Sequence, residues 1–319
     1  MNPPASNSST FKPLPISGSA ELSAAATAAA TASAAPPAVT PEFIAACEAK
    51  ETALRAWLQQ AGRVLVAYSG GVDSTYLAFV AHAALGAEAL AVTAHSPSLA
   101  PSELAETKDL AARFGFAHRI VATHEVDNPA YRANDGNRCH FCKSELMTEM
   151  QRLRVELGFE TILLGAIVDD IGDHRPGEKA ALSQGAAFPL RDVGLSKREI
   201  RWLSEQHGLP TADKPASACL SSRFAYGTEV TADRLAQVAA AEDLLHTLGF
   251  RACRVRVHDV SPTPAAKCIL LARIEVPAAD IAKVTPHAAQ LAADFKRLGY
   301  TFVSLDLAGY KSGNLNAAL

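Results

Sequence analysis

Ser69, Gly70, Gly71, Val72, Asp73 and Ser74 follow an apolar run at 64–67 and precede a helical stretch at 75–85 that stops at Gly86. Glycines let a backbone approach phosphate oxygens, serine hydroxyls add donors, and a helix N-terminus favours negative charge. The loop therefore suits a polyphosphate, and Asp73 could help hold Mg²⁺. No Gly-Lys-Ser/Thr follows, so this is not a Walker loop. The plain alternative is a strand-to-helix turn made of small residues.

A second chemistry belongs to sulfur. Cys139 and Cys142 lie in Arg138-Cys139-His140-Phe141-Cys142-Lys143, after the turn formers at 134–137. That spacing expects both thiols on one face, one turn apart, at the start of a helix. Cys219 stands among hydroxyls in Ala218-Cys219-Leu220-Ser221-Ser222-Arg223, and Lys214 and Arg223 would favour its thiolate. Thiols so placed can share a metal or form a redox pair. Otherwise they are half-buried structural cysteines. Cys47, Cys253 and Cys268 are expected in the core.

Polar groups at strand ends complete the candidates. Thr93, His95 and Ser96 follow an expected strand and are placed for nucleoside contact, though His95 reads equally as an ordinary loop histidine. Gly165 begins a run holding Asp169, Asp170, Asp173, His174 and Arg175, where carboxylates and an arginine could bind metal and phosphate. A solvated acidic loop would look the same. Arg254 and Arg256 share one face of an expected strand, where they can clasp a phosphate or pair with Glu275. Ser196-x-x-Glu199 is a capping box, so Glu199 is expected to be structural.

These groups must be carried by alternating elements. Strands are expected at 64–67, 89–93, 120–122 and 161–164, with helices at 101–114, 145–157 and 197–207 between or after them. Such alternation implies an α/β fold with a doubly wound parallel sheet and ligands at the carboxyl ends of its strands. From about 226 the style changes to a helix at 232–248, strands at 252–258, 268–276 and 301–307, and a helical stretch at 277–298. The expected organisation is an Ala/Ser/Pro-rich disordered extension at 1–40, a nucleotide domain at 41–225, and a smaller C-terminal α+β domain at 226–319 for substrate or oligomer contacts.

Composition narrows the function classes. A chain of 319 residues, about half apolar, can bury a large core. A net charge of −3 gives no global reason to expect nucleic acid or an anionic membrane as partner. No apolar run approaches the roughly 20 residues of a membrane span. The N-terminal stretch shows neither a secretory nor a mitochondrial signature, and six cysteines in this length fit a reducing cytoplasm better than a disulfide scaffold.

Taken together and in this order, Ser69–Ser74, Arg-Cys-x-x-Cys-Lys, Asp-Asp-x-x-Asp-His-Arg-Pro-Gly, Ala-Cys-Leu-Ser-Ser-Arg and Val-Arg-Val resemble the LarE family, across about residues 42–310. These are ATP-dependent sulfur transferases of the PP-loop superfamily, whose fold is like that of adenine nucleotide α-hydrolases. The resemblance implies ATP and Mg²⁺ as cofactors and cleavage of ATP between its α and β phosphates. It implies adenylation of the carboxylates of pyridinium-3,5-biscarboxylic acid mononucleotide and their conversion to thiocarboxylates, in the synthesis of a nickel-pincer nucleotide. Adenylation makes chemical sense, because AMP is then the leaving group for a sulfur nucleophile.

Some members of that family sacrifice the cysteine that Cys219 matches. Others carry three that resemble Cys139, Cys142 and Cys219 and bind a [4Fe–4S] cluster, the reading favoured for this chain, with zinc as competitor. Arg223, Arg254 and Arg256 are the candidates for the acceptor's phosphate, and Glu242, Glu275 and Asp280 resemble acidic metal-site positions. A cytoplasmic homo-oligomer is expected. A tRNA thiolase of the same superfamily, or a non-catalytic ATP-binding module, are the competing functions. The first would want a basic RNA-binding surface.

Overall fold

The structure, a computed structural model, describes residues 38–171, 176–215, 218–263 and 268–311. The expected extension therefore lies almost wholly outside the described residues, as do Asp173, His174 and Arg175. Residues 38–44 hold the start of helix α1 (Pro41–Ala61), where Thr40 Oγ1 accepts a hydrogen bond from Phe43 N at 3.3 Å. Ala45–Leu319 form one compact unit.

That unit is built on β1 (Val64–Ala67), whose Val64, Leu65 and Val66 are buried. Helix α2 (Val72–Leu85) leads to β2 (Ala89–His95), and α3 (Pro101–Phe114) to β3 (His118–Ala122). Helix α4 (Arg138–Leu157) then leads to β4 (Thr161–Leu163), and α5 (Pro176–Ser183) to the short β5 (Ala186–Ala187). All pairings are parallel and the order is β3-β2-β1-β4-β5. Leu65 pairs with Leu90 on one side and Ile162 on the other. The chain steps outward from β1 to β3 and resumes on the far side of β1 as β4, the order of a doubly wound sheet. Such a reversal opens a crevice at the carboxyl ends of β1 and β4.

Helix α6 (Lys197–Gln206) begins at the expected capping box: Glu199 Oε2 accepts from Ser196 N at 2.8 Å, and Ser196 Oγ from Glu199 N at 3.4 Å. After it come α7 (Ala232–Thr247), β6 (Arg254–Asp259), β7 (Leu270–Glu275), α8 (Ala288–Arg297) and β8 (Phe302–Leu305). These strands form a second sheet, β6-β7-β8, antiparallel then parallel. Its core joins Leu235 and Leu245 of α7 to Val255, Val257 and Ile274, and it also takes in Tyr131, Leu220 and Phe224. A bridge between Phe224 and Val257 continues that junction, with Ala225 N donating to Val257 O at 3.0 Å.

Two expectations are corrected here, the start of α4 and the burial of Cys268. Helix α4 opens at Arg138 rather than near 145, which puts the cysteine pair among its first five residues, at a helix start as the spacing expects. The stretch at 277–298 is helical as expected, passing through Ala278–Asp280, Ile281–Val284 and Thr285–His287 into α8 with alternating 3₁₀ and α turns. Pro286 has no N–H to continue a ladder. Cys268 is exposed, because it precedes β7 instead of lying in it; Cys47 and Cys253 are buried as expected. Among the described residues no helix is long and apolar enough to cross a membrane.

Candidate functional site

Gly70, three residues beyond the end of β1, takes φ +74°, and a Cβ there would lie 2.8 Å from Thr107 Cγ2. Only glycine fits both the backbone and the space. Ser74 closes the loop: its Oγ accepts from Ser69 N at 3.2 Å, lies 3.1 Å from Ser69 Oγ, and donates to Gly71 O at 3.2 Å. The amides of Val72, Asp73 and Ser74 form the first turn of α2, where helix geometry supplies no internal acceptor. Gly165, beyond β4, comes close against that turn; a Cβ would stand 3.2 Å from Ser74 N.

Asp73 is the acidic member of the loop. Lys197 Nζ donates to its Oδ2, whereas Oδ1 is buried and has no hydrogen-bond partner among the described residues. Burial pushes the Asp73 carboxyl above its ordinary range, and Lys197 pulls the other way. A hard oxygen without a partner, beside amides ready for phosphate, fits Mg²⁺, which uses one or two carboxylates and otherwise substrate oxygens and water. The neighbouring carboxylates hold backbone: Asp170 Oδ2 accepts from Ile167 N at 3.0 Å and Asp169 Oδ2 from Lys197 N at 2.8 Å.

At the end of β2 the expected nucleoside contacts use their side chains internally. Thr93 Oγ1 donates to Tyr68 O at 2.7 Å and lies 2.8 Å from His118 Nε2. Ser96 and Ser98 both donate to the buried Glu125 Oε1, at 2.5 and 2.8 Å. His95 is exposed.

Cys139 is exposed and Cys142 half-buried at the start of α4. Helix α5 presses on it through Gly177, where a Cβ would meet Cys139 O at 3.1 Å and Lys143 Cβ at 3.3 Å. Burial pushes the Cys142 thiol up to about 12, with Glu125, Cys219 and Cys139 adding to the rise and Lys143 opposing it. Burial also holds the Lys143 ammonium below its usual range, against the pull of Cys142, Cys139 and Cys219. The three thiols thus share one electrostatic neighbourhood around Lys143, the residue that closes the Arg-Cys-x-x-Cys-Lys motif. As arranged, no group of three or more His, Cys, Asp or Glu among the described residues could hold a metal ion.

The loop that carries exposed Cys219 is pinned at successive residues. Arg223 Nη1 donates to Ala218 O at 2.6 Å and Cys219 O at 3.1 Å, and Leu220 N donates to Ser98 O at 2.9 Å. Ser221 Oγ lies 2.5 Å from Tyr131 Oη, and Arg256 Nη1 donates to Ser222 O at 2.9 Å. Both arginines are fixed by buried carboxylates: Arg223 Nε and Nη2 each lie 2.9 Å from Glu242, and Arg256 Nε lies 2.9 Å from Glu275. Of the two uses open to Arg256, the structure realises the pair with Glu275. The cations expected to favour a thiolate at Cys219 are themselves paired, since Lys214 Nζ contacts Glu103 at 2.7 Å and Glu106 at 2.6 Å. Asp280 pairs with Lys283 at 2.6 Å.

One cavity of about 310 Å³ joins the two chemistries. Ser69 and Gly71 line it on one side and Cys219 on another, with His246, Arg251 and Arg254 also in its wall. The Arg254 guanidinium lies 5.2 Å from the centre of the Tyr310 ring. His246 and Arg251 stand in no recognisable motif, and only the fold brings them to this cavity.

No protein-family model matches the chain. It is 44% identical to an uncharacterized protein of Synechocystis sp. over 85% of this chain and 98% of that one. It is 33% identical to the pyridinium-3,5-bisthiocarboxylic acid mononucleotide synthase of Lactiplantibacillus plantarum, over 86% of this chain and 97% of the relative. An uncharacterized protein of Methanocaldococcus jannaschii is 22% identical over 78% of this chain. Identity at the level of the second relative, across nearly the full length of both chains, decides the matter: this chain belongs to the LarE family.

Proposed function

We propose that the chain is an ATP-dependent sulfur transferase. It adenylates the carboxylates of pyridinium-3,5-biscarboxylic acid mononucleotide and converts them to thiocarboxylates for a nickel-pincer nucleotide. The observation that carries this reading is the single cavity lined by Ser69 and Gly71 and also by Cys219. In this reading Ser69–Ser74 is a PP-loop. Its amides and hydroxyls would hold the polyphosphate, and Asp73 would hold the Mg²⁺ that offsets the phosphate charge. The acceptor carboxylate attacks the α-phosphorus, the bond to the β-phosphate oxygen breaks, and pyrophosphate leaves. Sulfur then attacks the acyl adenylate and AMP departs. Arg254, with Arg251 and His246 in the same wall, supplies positive charge for the acceptor's phosphate. Arg223 holds the Ala218 and Cys219 carbonyls, which fixes the backbone from which the sulfur is presented.

Cys139, Cys142 and Cys219 are the proposed ligands of a [4Fe–4S] cluster, which would supply a renewable sulfide. The soft donor set and the shared surroundings of the three thiols support it. A second reading has its own observation: of the three, only Cys219 lines the cavity, and the set is not closed around a metal. Cys219 would then give up its own sulfur, with Cβ–Sγ cleavage and loss of the α-proton leaving dehydroalanine. Intact-mass measurement after anaerobic turnover separates the sources, since a loss of about 34 Da marks sulfur abstraction from a cysteine. The cluster reading expects unchanged protein mass, several turnovers on added sulfide, and a thiocarboxylate product. Absence of any thiocarboxylate under either condition would overturn the transferase reading itself.

A further inference from the structure

Asp73 is gripped on one side only, with Oδ2 on Lys197 Nζ and Oδ1 buried without a partner among the described residues. Lys197 is the first residue of α6, and its backbone N–H donates to Asp169 Oδ2 at 2.8 Å. Ser196 and Glu199 cap the same turn. The root of the lysine is therefore fixed beside the loop that follows β4, while its head reaches the loop that follows β1. Other cations in this region are committed elsewhere. Lys214 contacts Glu103, Glu106 and Gly70 O, and Arg201 donates to the carbonyls of Ala212 and Lys214.

We propose that Lys197 is a positioning residue for the divalent cation of the nucleotide: by holding Oδ2 of Asp73 it presents Oδ1 to the metal on the polyphosphate. The inference rests on the ATP reading above and adds a residue to it. A carboxylate that binds a metal through one oxygen needs its other oxygen held if its orientation is to be defined. Such outer partners typically change metal affinity by about 10- to 100-fold when removed. Asp169, which anchors the backbone of Lys197, extends the chain of support to the other side of the crevice. A direct contact between Lys197 and phosphate is the competing role, and it predicts a different dependence on the metal.

The test is calorimetric titration of the full-length chain with ATP across a series of Mg²⁺ concentrations, for wild type and Lys197→Met. The Mg²⁺ concentration needed for half-maximal ATP affinity is expected to rise roughly 10- to 100-fold in the variant. ATP affinity at saturating Mg²⁺ should stay near wild type. The melting temperature should be unchanged, because the ion pair is partly exposed at 37% and 24% and such pairs contribute little to stability. Lys197→Arg, which keeps the charge, should restore much of the wild-type requirement. An unchanged Mg²⁺ requirement overturns the proposal, and so does an affinity loss of equal size at every Mg²⁺ concentration. If the wild-type chain binds no ATP in a Mg²⁺-dependent way, the ATP reading fails first and this inference falls with it.

Discussion

Cys219→Ala is expected to abolish sulfur transfer completely while ATP binding stays within a few-fold of wild type. The expectation follows from the separate supports of the two halves of the cavity. The loop at 69–74 is closed by Ser74 on Ser69 and Gly71, and it is seated by Gly70 and Gly165. The Cys219 loop is held by Ser98, Tyr131, Arg223 and Arg256 through backbone carbonyls, an amide and Ser221, none of which the substitution removes. The exposed thiol can therefore be deleted without an unpaired buried group being left behind. Cys139→Ala divides the two sulfur sources. With a cluster it stops transfer as fully as Cys219→Ala; with a sacrificed Cys219 it leaves one turnover. Equal loss of ATP binding and of transfer in Cys219→Ala would show that the loop shapes the nucleotide site instead of delivering sulfur.

Arg256→Ala is expected to cost about 3 kcal/mol of stability, toward the low end of what breaking a buried ion pair costs. Glu275 is fully buried, and Arg256 binds it at 2.9 Å with a guanidinium that also reaches Ser222 O. Removing the arginine strands part of a carboxylate charge in the core, an effect larger than any surface pair could give. Arg273, 3.2 Å from Glu275, keeps the cost from being higher. Urea unfolding should show a lower midpoint with an unchanged slope. A variant of wild-type stability with weakened acceptor binding would instead return Arg256 to the phosphate-binding role expected from its sequence setting.

That arginine also marks where the sequence becomes hard to read. The run at 64–67, the glycines after it and the alternation of strand and helix expose β1, its loop and the parallel sheet, because those elements are locally determined. The cysteine pair is legible by spacing, and Ser196 with Glu199 by the capping pattern. The pairing of Arg256 with Glu275 is legible as one of two uses open to it, but the partner of Arg223 is not, since Glu242 reaches it only when α7 packs beside the Cys219 loop. Lys197 meets Asp73 across 124 positions of sequence, so no local pattern could join them. A strand of alternating Val and Arg suggests a wet arginine face, yet a carboxylate on the neighbouring strand lets Arg256 be buried.

The account stands most directly on what becomes of ATP. The chain, incubated anaerobically with Mg²⁺, ATP, sulfide and pyridinium-3,5-biscarboxylic acid mononucleotide, should form AMP and pyrophosphate in equal amounts, and only when the acceptor is present. In the proposed reading the loop of backbone amides, hydroxyls and Asp73, which has no Walker lysine, holds the polyphosphate for release of pyrophosphate, and the acceptor lies in the cavity that continues to Cys219 and Arg254. Formation of ADP and orthophosphate, or retention of intact ATP with acceptor bound, would contradict it.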